Sequence, residues 1–159
     1  MQYNGSIFIG IPKTSVALAH TFNFAHTRYS QYFNRKHNES GHLWQGRFYS
    51  CVLDGRHQLV AARYSERKPV RAGLVKAAAA DWKWSSARAH CNGGSGGLDF
   101  DLAVLWGCLE IKQEEWTEFL GKTENEGELS DLRTYTHTGR PLGAGGFVEI
   151  VQPEPDSSR

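Results

Sequence analysis

Tyr64 stands among cations at helical spacing. Val60 lies four residues before it, and Arg67 and Lys68 lie three and four residues after it. On a helix these positions share a face. Guanidinium groups beside a phenol stabilise its phenolate, the charge state a tyrosine needs to attack phosphorus. A core tyrosine with a satisfied hydroxyl fits the same spacing, and spacing alone favours that plainer reading.

A second set of residues is broader. Arg28, Tyr29, Tyr32, Arg35, Lys36, His42, Trp44, Arg47, Tyr49, Arg63, Tyr64, Arg67 and Arg71 interleave cations with rings. Cations engage phosphates and rings stack on bases, so this is the composition of a single-strand-binding surface. Aromatics in a core beneath a solvated cationic face would read the same way, and the two readings stay even. The residues expected to touch DNA are Arg28, Arg35, Lys36, His42, Gln45, Arg47, Arg63, Arg67 and Arg71.

Metal and thiol chemistry find little support. The seven histidines form no HxH, HxxxH or HExxH pattern. Cys51, Cys91 and Cys108 form no CxxC, so neither a zinc knuckle nor a disulfide framework is expected, and a reducing cytoplasm is the natural setting. Gly139-Arg140-Pro141 resembles a minor-groove hook, but a turn is the simpler reading.

Charge sharpens the picture. The 159 residues carry 18 Lys plus Arg and 17 Asp plus Glu, for a formal net charge of +1. The charges are segregated. Residues 26–90 hold twelve bases against four acids, a net of +8; residues 91–159 hold five bases against thirteen acids, a net of −8. A basic half followed by an acidic half points to a polyanionic partner. The acidic part either solubilises a helical appendage or folds back over the basic face. With 40% hydrophobic residues a packed core is expected, and no apolar run approaches the roughly 20 residues that span a bilayer.

These residues need elements to position them. Residues 6–11 are short and apolar and predict a buried strand. Thr14 or Ser15 would cap a helix with Leu18, Phe22, Ala25, Tyr29 and Tyr32/Phe33 inward and His26, Arg28, Arg35 and Lys36 outward. Asn38 to Gly41 would break it. Leu43 to Leu53 alternates like a strand. Asp54 would cap a helix from about Arg56 to Arg67, ending near Lys68 because Pro69 disfavours helical geometry before it. A Gly/Ser linker follows at 92–97. Short helices are expected at Leu102–Leu109, Glu114–Leu120 and about Glu128–Thr134.

Four ordered blocks carry a resemblance. They are Gly41 to Phe48, Arg63 to Val75, Asp81 to Ala87, and Thr138 to Gly143 followed by Phe147. Together they resemble the single-tyrosine HUH transposases, and within them the REP-associated tyrosine transposases, over about residues 4–150. The resemblance implies a ferredoxin-like α/β (α+β) fold, an antiparallel sheet with helices. Here it would be incomplete at the N-terminus and would carry a small helical C-terminal appendage. It implies a truncated catalytic domain at 1–91, the linker at 92–97, an acidic helical region at 98–150 and a disordered tail at 151–159. Its partner would be hairpin DNA with single-stranded flanks, bound by a monomer or a homodimer. Tyr64 falls on the family's nucleophile, which forms a phosphotyrosine link to DNA. The family uses Mg²⁺ or Mn²⁺ held by two histidines and a polar residue one turn after the tyrosine. In this chain those positions are Gly5, Ile7 and Lys68, none a fitting ligand. The family also places strands and a helix ahead of the histidine strand, so the gene is read as truncated. The expectation is a transposase-like, DNA-binding, cytoplasmic protein with impaired strand cleavage. An inactive DNA-binding remnant, a gene fragment without function and an RNA-binding protein remain as alternatives.

Overall fold

A computed structural model describes residues 7–44, 46, 48–76, 78–93 and 102–152. The architecture is helical. Among the described residues, seven α-helices make up the regular structure, apart from one 3₁₀ turn. They are α1 (Ala17–His37), α2 (Gly55–Arg71), α3 (Ala87–Asn92), α4 (Leu102–Leu109), α5 (Gln113–Gly121), α6 (Glu126–Thr138) and α7 (Gly145–Val151), with the 3₁₀ turn at Ala79–Asp81. No helix among the described residues is long and apolar enough to cross a membrane.

The expected ferredoxin-like antiparallel sheet is therefore corrected. The described residues contain no strand ladder, only an isolated parallel bridge between Leu53 and Leu142. Asp54 N–H donates to Leu142 O at 3.2 Å, and Leu142 N–H donates to Val52 O at 2.9 Å. The two runs expected as strands fail for one reason: a strand's backbone groups must find partners on another segment, whereas a helix satisfies its own. Among the described residues, 7–11 join no strand ladder, and Phe8 and Ile11 are exposed. The described residues of 43–52 form no ladder either.

The chain divides into two compact units. Gly10–Ser50 is one; Met1–Ile9 and Cys51–Arg159 form the other. In the first unit, α1 ends at Asn38, whose left-handed φ of 53° lets its N–H bond back to Asn34 O. The chain then returns along the helix. Asn34 Nδ2 donates to Gly41 O at 3.2 Å, Trp44 stacks on His26 with ring centres 4.1 Å apart, and Phe48 lies 4.9 Å from Phe22. The inward stripe is thus Leu18, Phe22, His26 and Phe33. His26, expected outward, belongs to it, while Ala25, Tyr29 and Tyr32, expected inward, are exposed.

In the second unit α2 is the hub, packed by α4, α5, α6 and the 3₁₀ turn. Ala61 and Ala62 let its neighbours approach closely on two sides. On one side Ala62 joins Ala79, Ala87, Leu109, Trp116 and Leu120 in the larger core, flanked by Leu59 and Val70. On the other, Ala61 joins Leu132 and Leu142, with Tyr64 and Tyr135 packed beside them. The expected stop near Lys68 is not observed. The helix carries Pro69 within its last turn and ends at Arg71. Gly73 then adopts a left-handed φ of 68°, and Leu74 N–H bonds to Pro69 O at 2.9 Å. Helix α6 begins two residues before the expected start and runs four further, because Asn125 caps it and the left-handed Gly139 closes it. Helix α7 was not expected. Residues 94–97 of the Gly/Ser linker and 153–159 of the tail lie outside the described residues.

Candidate nucleic-acid interface and the environment of Tyr64

Helix α1 presents the outward cations that its periodicity assigns to it. Arg28, Arg35 and Lys36 are exposed, as is His42 on the returning segment. Arg28, Gln31, Tyr32 and Arg35 line one shallow hollow. The Lys36 ammonium lies 5.7 Å from the centre of the Tyr32 ring, and the Arg28 guanidinium lies 5.9 Å from that of Phe24. Tyr32 is 57% exposed and Phe24 69%, so both rings present open faces. None of the three cations forms an ion pair with an acid among the described residues. Gln45 and Arg47, also expected at the DNA surface, lie outside the described residues.

The arginines of α2 behave differently. Arg67 Nε donates to Glu124 Oε2 at 3.0 Å, and Arg71 Nη1 donates to Glu124 Oε1 at 2.7 Å. Their remaining N–H groups reach backbone carbonyls, Arg67 Nη1 to Leu120 O and Arg71 Nη2 to Tyr64 O. Arg63 Nη2 donates to Lys122 O, and its guanidinium lies 4.9 Å from the centre of the Phe119 ring. Partial burial lowers the Arg63 pKa from its ordinary value, with Arg67 and Arg71 adding to the effect against Glu124 and Glu128. Arg63, Arg67 and Arg71 therefore join α2 to the segment between α5 and α6. They do not form an open cationic face of the kind α1 presents.

Tyr64 is half-buried in the smaller core. Two guanidiniums that its helical spacing did not assign to it lie beside its ring. Arg71, two turns on, lies 4.1 Å from the ring centre, and Arg133 of α6 lies 5.5 Å away. Arg133 Nε donates to the Tyr64 hydroxyl at 3.5 Å, a contact that raises the Arg133 pKa above its ordinary value. Arg133 also approaches Glu126, at 3.7 Å. Two cations thus flank the phenol, one supplied by a helix outside the block that carries Tyr64.

The positions that the resemblance implies for a divalent metal do not fit one. Ile7 has no lone pair to offer, and protonated Lys68 is a cation. Gly5 lies outside the described residues. No group of three or more His, Cys, Asp or Glu side chains able to hold a metal occurs among the described residues.

One further constellation escaped sequence reasoning, and a second was legible there only as a helix cap. Glu66 is buried in the larger core, where Trp116 Nε1 donates to Oε2 at 2.8 Å and Ser86 Oγ donates to Oε1 at 2.6 Å. His90 Nδ1 lies against the same Oε1. A signal was present: Leu59, Ala62, Glu66 and Val70 form a helical stripe whose third member is acidic. Asp54 is the second case. It caps α2 through His57 N–H at 2.9 Å, contacts His57 Nδ1 at 2.6 Å and accepts from Ala144 N–H at 2.9 Å. Burial works against its ionisation, but the hydrogen bonds from His57 and Ala144 outweigh that and hold the carboxyl below the usual carboxylate range. A Cβ at Gly143 would lie 2.9 Å from Asp54 Oδ2, so glycine keeps this contact open.

No family model, no curated protein and no solved structure matches the chain.

Proposed function

We propose that the chain binds single-stranded DNA and hairpin flanks through α1, as a transposase-like protein whose strand-cleaving chemistry is impaired. The observation that carries this reading is the grouping of Arg28, Gln31, Tyr32 and Arg35 around one hollow, with Lys36 against Tyr32. Guanidinium and ammonium groups engage phosphates, and exposed rings on the same face stack on unpaired bases. Charge supports it: residues 10–50 hold Lys13, Arg28, Arg35, Lys36 and Arg47 against the single acid Glu39. The four motif blocks and the tyrosine-bearing helix α2 support the transposase relationship. The misfit of Ile7 and Lys68 as metal ligands supports impaired cleavage.

The test is the affinity of the whole protein for a fluorescent hairpin oligonucleotide with single-stranded flanks, measured over a salt series. Single-strand binding weakens with salt by a log–log slope of about 0.7 per neutralised phosphate. The triple substitution Arg28→Gln, Arg35→Gln, Lys36→Gln should weaken binding and reduce the slope by about 2. Equal affinity and slope in the folded triple variant would refute the assignment to α1.

A further inference from the structure

We infer that Arg67 and Arg71 form a second DNA-phosphate site, which Glu124 occupies as an internal substitute for phosphate. This rests on the DNA-binding reading and adds a way to regulate it.

The two guanidiniums converge on opposite oxygens of one carboxylate, Arg67 on Oε2 at 3.0 Å and Arg71 on Oε1 at 2.7 Å. A phosphate offers the same pair of anionic oxygens to arginine donors. The donors are preorganised without Glu124, because Arg67 is also tied to Leu120 O and Arg71 to Tyr64 O. The site is near the surface: the two arginine side chains are 21% and 23% exposed. Arg71 also lies against the Tyr64 ring, so an anion held there would be next to the tyrosine that the motif blocks single out. Helices α5 and α6 bury Trp116, Leu120, Leu129 and Leu132, so their backbone stays in place. The exchange needs only the Glu124 side chain to swing aside. The net −8 of residues 91–159 then has a specific point of action, a carboxylate competing with DNA for two cations.

The test compares wild type with Glu124→Gln on the labelled hairpin across a fourfold rise in salt. Freeing two cations should tighten binding at low salt and steepen the slope by about 1.4, so the variant loses about sevenfold more affinity than wild type over that range. Adding Arg67→Gln and Arg71→Gln to Glu124→Gln should restore the wild-type slope. Glu124→Asp keeps the charge but is one methylene too short to span both arginines. It should show about half the effect, and it serves where Glu124→Gln fails to fold by circular dichroism. Equal slopes in wild type and the folded Glu124 variant would overturn the site while leaving α1 untouched. Absence of DNA binding by both proteins at low salt would overturn the DNA reading and this site together.

Discussion

The carboxylate of Glu66 accepts the indole N–H of Trp116 at 2.8 Å, across 50 residues of sequence. Both side chains are buried: Glu66 is 3% exposed and Trp116 is fully enclosed. The contact fastens α2 to α5, and Ser86 and His90 close around the same carboxylate from the start and the body of α3. A buried acid is costly unless its lone pairs are engaged. Here one acidic side chain in an apolar stripe gathers three side chains, two from α3 and its cap and one from α5. It also links the block Arg63 to Val75 with the block Asp81 to Ala87 through Ser86.

Replacing Glu66 by alanine should therefore be among the most damaging single changes. It removes the acceptor for Trp116 Nε1 and Ser86 Oγ and leaves a void among close-packed neighbours. A loss of about 3 kcal/mol or more is expected. Urea denaturation of Glu66→Ala beside wild type measures it, and a loss below about 1 kcal/mol would contradict the role given to this carboxylate.

Trp116 fills the larger core from α5, with Trp106 and Phe119 each 5.6 Å from its ring. Trp116→Ala should cost about 3–5 kcal/mol. Trp116→Phe keeps most of the volume but loses the donor to Glu66, so it should cost less. Thermal unfolding of the two variants separates packing from the hydrogen bond.

Asp54 links stability to pH. Its carboxyl is held below the usual carboxylate range in the folded chain, so the unfolded chain binds the proton more tightly. The stabilisation is complete above the ordinary carboxylate pKa, about 4, and is lost as pH falls through the lower folded value. Asp54→Asn retains an N-cap acceptor, removes this titration and should flatten that part of the acid-side loss. Asp54→Ala should cost about 1–2 kcal/mol at pH 7 by removing the cap. Denaturant midpoints between pH 7 and pH 3 distinguish the variants.

Tyr64 carries the strongest chemical expectation and has the least fitting metal positions. A labelled hairpin with single-stranded flanks, incubated with Mg²⁺ or Mn²⁺, should form no covalent adduct with the protein. An adduct on denaturing gels that disappears in Tyr64→Phe would show that cleavage survives. Tyr64→Phe itself should change stability by less than about 1 kcal/mol, because its 3.5 Å contact with Arg133 is long for a hydrogen bond.

The sequence by itself determined the helices whose hydrogen bonds are local. The periodicity of Leu18, Phe22 and Phe33 and the cap at Asp54 were enough to place α1 and α2. The runs at 102–109 and 114–120 placed α4 and α5 in the same way. It also determined the segregation of charge. Tertiary structure alone decided the rest. Whether residues 7–11 and 43–53 form strands depends on a partner segment, and among the described residues the bridge formed is Leu53 with Leu142. Whether an arginine faces solvent depends on what folds against it. Arg28 and Arg35 stay open on α1, while Arg67 and Arg71 meet Glu124 more than 50 residues away. A helix bonds to itself within four residues, but strand pairing, buried ion contacts and the enclosure of Glu66 are made between distant residues. Their spacing in the sequence carries no record of those meetings.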